Sequence, residues 1–114
     1  MRSTAADLLK FMSANIGLTE SGLAPAMKSM LEIRKPTGIP DMEIALAWHV
    51  LKRDGDEIIW HNGGTGGYRT FCGLDPEHKT AVVLLSNYGD AFANDDSIDK
   101  MGFEILKMAS KISL

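Results

Sequence analysis

Apolar positions recur at helical spacing near both ends of the chain and alternate with a period of two between them. Leu8, Leu9, Met12 and Ile16 share one face of a helix predicted over about residues 4–16. Thr4 stands where a hydroxyl caps free amides, Asp7 sits in the positive first turn, and Gly17 suits a left-handed stop. A second helix over about residues 21–34 carries the stripe Leu23, Met27, Met30 and Leu31, whose methionines read as core. The run Lys35 to Pro40 breaks the helical period and reads as a connector.

From Glu43 the period changes to two. Ile44, Leu46, Trp48 and Val50 point one way, and Ala45, Ala47, His49 and Leu51 the other, which predicts one strand with both faces covered. Arg53-Asp54-Gly55-Asp56 is a hairpin turn, because Asp-Gly tolerates the positive φ of a tight reversal. A short strand from Glu57 to His61 precedes a glycine-rich bend, and a further strand spans Tyr68 to Leu74. After the turn Asp75 to Lys79, Thr80 to Ser86 is the most apolar strand. Asp95 or Asp96 caps a last helix over about 96–112, with the stripe Ile98, Met101, Ile105, Met108 and Ile112. The order predicts an α+β domain over residues 1–114. Its antiparallel meander of about four strands, over about 43–87, packs with N-terminal and C-terminal helices.

Composition narrows the chemistry by exclusion. The 114 residues suffice for one core. A net charge of −3 provides no basic field for nucleic acid or anionic membrane surfaces. A single cysteine, Cys72, excludes an internal disulfide framework, and it reads as a small buried hydrophobe. The apolar run Ala81 to Leu85 is far shorter than the ~20 residues of a membrane helix, and the N-terminus has no signal-peptide core.

The segment His61 to Gly67 is what composition leaves unexplained. Its glycines cost conformational entropy, which a tight bend or the close approach of a ligand or backbone would offset. A phosphate loop is excluded, since no Gly-Lys-Ser/Thr opens a helix and Arg69 stands where G-x-G-x-x-G needs its last glycine. His49, His61 and His78 lack the spacing of a metal set, so neither a metal nor a cofactor is expected.

His61-Asn62-Gly63-Gly64-Thr65-Gly66-Gly67-Tyr68 resembles the third signature of the serine β-lactamase and penicillin-binding-protein family. It is most similar to the class C-like branch of D-Ala-D-Ala carboxypeptidases and β-lactamase-type esterases, where His-x-Gly replaces Lys-Thr-Gly. The flanks resemble the family in order. They are the helix Ser3 to Phe11, Ala45-Leu46-Ala47-Trp48 in place of a Gly-Leu-Gly-Trp strand, Leu74-Asp75-Pro76-Glu77, and Val82 to Asn87. The resemblance implies that His61 orients substrate and tunes the nucleophile, and that Asn62 holds the usual hydroxyl position and contacts a substrate carboxylate or carbonyl with altered chemistry. It further implies that Gly63 admits substrate against the strand, with Thr65 beside it, and that the Gly64 amide is an oxyanion donor. A small acyl substrate is implied for the intact fold.

The family's Ser-x-x-Lys nucleophile and Tyr-x-Asn signature are absent upstream of the glycine motif. Ser97-Ile98-Asp99-Lys100 matches the first pattern literally but follows the motif, and Tyr88 is followed by Gly-Asp. The chain therefore reads as one wall of a serine-hydrolase site, inactive alone. The alternative is a free-standing binding or oligomerisation module. A hydrolase using Ser86, Ser97 or Cys72 is a third, weaker reading. The resemblance also leaves the apolar strand 80–86 without its usual pairing strand. This predicts a homo-oligomer through that edge or by helix exchange.

Overall fold

A computed structural model describes residues 2–53, 55–87 and 98–112. Among these, three helices pack on an antiparallel sheet of six strands, an α+β fold. No helix among the described residues is long and apolar enough to cross a membrane.

Helix α1, Ala5–Asn15, begins where expected, with the Asp7 amide donating to Thr4 Oγ1 at 3.1 Å. Met12 and Ile16 are buried, whereas Leu9 lies largely in solvent. Helix α2, Ala24–Glu32, is shorter than the predicted span of about 21–34, since Pro25 sets its first turn and Ile33 is already extended before Lys35-Pro36.

The sheet departs from expectation at its start. Lys35–Pro36 is a short strand, β1, not a connector, and it pairs with β2, Met42–Ile44. The predicted strand from Glu43 to Leu51 is two strands. The chain reverses over Ala45 to Trp48, where Ala47 takes φ +66° and the Ala45 amide donates to the Trp48 carbonyl at 2.8 Å. Strand β3, His49–Arg53, then runs back along β2, with Ile44 opposite His49. Apolar alternation cannot distinguish one strand from a tight hairpin whose turn also lacks polar residues. Six strands therefore stand where four were expected.

Strand β4, Asp56–Thr65, is longer than predicted, because the glycine run continues the strand instead of bending it. The reversal to β5, Tyr68–Asp75, falls at Gly66 and Gly67, at φ +56° and +84°, the conformations a two-residue hairpin demands. Strand β6, Thr80–Ser86, pairs with β5 and forms one edge of the sheet β1-β2-β3-β4-β5-β6.

The cross-strand row Val50, Ile59, Leu74 and Ala81 faces α1, whose Met12 and Ile16 join Trp48 and Ala45 in a core. The opposite face carries Trp60 and Phe71 beneath helix α3, Ile98–Ser110. A Cβ on Gly102 would lie 2.3 Å from Phe71 Cδ1, and one on Gly73 would lie 2.9 Å from Phe71 Cε1. Both glycines therefore leave the room in which α3 closes over that ring. The predicted caps Asp95 and Asp96 fall outside the described residues.

Candidate active site

Strand β3 begins at His49, which stands opposite Trp60. Beyond that point β4 pairs, among the described residues, with β5 alone: His61 opposite Cys72, Asn62 opposite Phe71, Gly63 opposite Thr70, Gly64 opposite Arg69 and Thr65 opposite Tyr68. The motif residues thus form a strand with one edge paired and, among the described residues, one edge without a strand partner. Such an edge can hydrogen-bond an extended ligand.

Each side chain on this overhang has a distinct setting. His61 Nδ1 lies 2.6 Å from the Asn62 carbonyl oxygen. A carbonyl only accepts, so Nδ1 carries a proton and, in the neutral ring, Nε2 is the acceptor. The His49 ring lies between Trp60, at 4.7 Å between centroids, and His61, at 5.2 Å. Burial, and next the charge of His61, hold His49 below its ordinary value, while Asp99 opposes them. Asn62 turns to the other face, where its Nδ2 donates to Asp99 Oδ2 at 2.6 Å.

The glycines are explained by their cross-strand neighbours. A Cβ on Gly63 would meet Thr70 Oγ1 at 3.1 Å, and one on Gly64 would meet Arg69 Nη1 at 2.6 Å. The Arg69 side chain consequently lies across the Gly64 backbone. In the sequence Arg69 is legible only as a residue that excludes a phosphate loop, and the sign of this close approach is a cation opposite a bare glycine in a hairpin.

Among the expected site residues, His61 through Thr65 are consecutive on this one open strand. Ser97 and Tyr88 lie outside the described residues. Lys100 is on the exposed side of α3. Cys72 is half-buried against the α1-side core, and burial pushes its thiol up, which suits the packing role expected of it.

A second polar group lies at the other end of the sheet. Buried Asp75 accepts from the His78 amide at 3.2 Å and from His78 Nδ1 at 2.8 Å, with Ser110 Oγ 3.1 Å away. Asp56 joins them, the donor atoms of Asp56, Asp75 and His78 all lying within 4.8 Å of one another. Two different hairpins supply these residues, so linear spacing did not reveal them. The hydrogen bonds of Asp75 to His78 and to Ser110 fasten the β5–β6 turn to the end of α3.

The profile of the Beta-lactamase family matches residues 1–101. The chain belongs to that family, whose members include serine hydrolases. It is also similar to the protein named Unguisins hydrolase ungD' of Aspergillus campestris (strain IBT 28561), with 44% identity over 43 residues. That stretch is 38% of this chain and 8% of the relative's length, so the chain spans a small part of that protein. No solved structure matches the chain.

Proposed function

We propose that this chain forms the sheet-side wall of a serine acyl-hydrolase site of the class C-like carboxypeptidase and esterase branch. The observation that carries the reading is the edge of β4 from His61 to Thr65, where β3 has ended and, among the described residues, β5 alone pairs with the strand. An acyl substrate laid along this edge meets backbone donors and acceptors at strand spacing. The Gly64 amide acts as an oxyanion donor, stabilising charge that develops on the acyl oxygen. His61, with Nδ1 held by the Asn62 carbonyl, offers Nε2 to the substrate or to the nucleophile's proton. Gly63 and Thr65 line the approach, and Asn62 acts indirectly, tethering the strand to α3 through Asp99. The nucleophile is a serine from Ser-x-x-Lys supplied by polypeptide other than these residues, so the chain alone does not turn over substrate.

Two measurements test this. A chromogenic β-lactam and a short-chain ester are expected to leave no acyl adduct on the chain by intact mass spectrometry, and an adduct on Ser86, Ser97 or Cys72 overturns the inactivity. A saturating short-chain ester is expected to move the amide resonances of Gly63 and Gly64 and leave those of Pro76 to Lys79 unmoved. Unmoved glycine amides overturn the site. The alternative reading, a non-catalytic module, is favoured by a different observation, the apolar strand β6, which pairs among the described residues with β5 alone.

A further inference from the structure

His61 is exposed, and an exposed side chain ordinarily samples several rotamers, so holding it in one costs entropy. Two contacts act on its ring. Nδ1 donates to the Asn62 carbonyl at 2.6 Å, which settles the tautomer but leaves the ring plane free to turn about that bond. His49 settles the plane. The two imidazole centroids are 5.2 Å apart with 27° between the planes, a stacked arrangement. His49 is in turn backed by Trp60, at 4.7 Å and 35°. Trp60 itself is held by Phe71 and Phe103, whose centroids are 6.1 Å and 5.1 Å from its own. A row of rings therefore runs from beneath α3 to the motif histidine, with His49 as its last link. Register puts it there, because His49 is the first residue of β3 and stands opposite Trp60, one position short of His61.

The charge of this link matters as much as its shape. His61 acts on it from β4 and Asp99 from α3. Burial, and next the charge of His61, favour the uncharged form of His49. An uncharged ring does not repel a proton that reaches His61 Nε2, and the face of an aromatic ring attracts the cation so formed.

We propose that His49 is a positioning residue of the site: its ring holds the His61 imidazole in one plane, with Nε2 turned away from the Asn62 carbonyl and presented to substrate and nucleophile. The inference rests on the hydrolase reading above and extends it to a residue outside the glycine motif. The role is indirect, since His49 acts through His61 and touches no reacting atom. Fixing a group in its working orientation before substrate arrives removes an ordering cost from the reaction itself.

The full chain tests this without a ligand. Nitrogen-15 spectra of the imidazoles at mildly alkaline pH are expected to show His61 in one neutral tautomer, its ring protons in Overhauser contact with those of His49. His49→Phe, which keeps a flat ring, should preserve the single tautomer. His49→Leu, which fills the space without one, should draw the separate Nδ1 and Nε2 shifts of His61 toward a common average. The amide resonances of Tyr68 to Asp75 report the fold and should stay in place in both variants. A saturating short-chain ester should then shift His61 Nε2 in the wild type and in His49→Phe, and shift it less in His49→Leu, with the Gly64 amide still responding. A His61 tautomer unchanged by His49→Leu, or lost equally in His49→Phe, overturns the inference. So does the absence of the Overhauser contact in the wild type, which needs no variant to fold. Glycine amides that ignore the ester overturn the hydrolase reading instead, and the two failures are distinct because the imidazole spectra need no ester.

Discussion

Asn62 and Asp99 are joined by a hydrogen bond of 2.6 Å that ties the glycine-rich end of β4 to the first turn of α3. Its acceptor is a carboxylate, so it belongs to the stronger class of side-chain hydrogen bonds. Asn62→Ala or Asp99→Ala is expected to lower stability by about 1–2 kcal/mol in urea unfolding. A double-mutant cycle should return most of that as coupling. Additive losses would mean that the contact carries no energy.

His78 and Asp75 give the chain a stability that depends on pH. The hydrogen bond to Asp75, and next that carboxylate's charge, raise His78 above its ordinary 6.5. A raised value in the folded state means the proton favours folding. The contribution is complete below pH 6.5 and is lost as pH rises through the raised value. Nuclear magnetic resonance titration of His78, repeated in Asp75→Asn, should show its value falling toward 6.5 in the variant.

His49 has the opposite sign. Its lowered value means that the neutral ring favours folding, so its contribution is present above pH 6.5 and is lost as pH falls through the lowered value. His61→Phe keeps a ring against His49 but removes a charge, and is expected to move the His49 titration part of the way back. Burial, the larger cause, keeps the remainder in place. An unmoved His49 would show that the two imidazoles are not electrostatically coupled.

Ala47 holds φ +66°, a left-handed conformation unfavourable for a residue with a Cβ. Ala47→Gly relieves that cost and adds some unfolded-state entropy, for a net gain of about 0.5–1 kcal/mol. Thermal unfolding should show a higher midpoint.

Gly102→Ala probes the closure of α3 over Phe71. A methyl at 2.3 Å from the ring forces a buried side chain to shift, and the expected cost is about 1–3 kcal/mol despite alanine's better helix propensity. Phe71→Leu should restore part of the loss in the double variant, as measured by urea unfolding.

What was legible in the sequence depended on whether residues announced their backbone conformation. Thr4 with Asp7 set the start of α1, Gly55 the β3–β4 reversal, and alternation the strands β5 and β6. The turn over Ala45 to Trp48 carried no glycine, proline, asparagine or aspartate. Its left-handed residue is an alanine, and the one hint was the likeness to Gly-Leu-Gly-Trp, where a glycine holds that position. The glycine motif was legible as a place of close approach, and the side chains that approach, Thr70 and Arg69, lie across a hairpin. The stacking of His49 on His61 was not legible, because it depends on β3 beginning opposite Trp60. The polar group at Asp75 depends likewise on two turns meeting in space.

The reversal at Ala45 to Trp48 decides more than the strand count. It fixes how far β3 reaches, and so how much of β4 is left uncovered. Two residues inserted between Trp48 and His49 would preserve the inward and outward alternation while lengthening β3 by one pleat, laying new backbone beside His61 and Asn62. In the proposed site, the edge within a ligand's reach is therefore set by the length of a neighbouring strand, a property that can change by insertion without altering any residue of the motif.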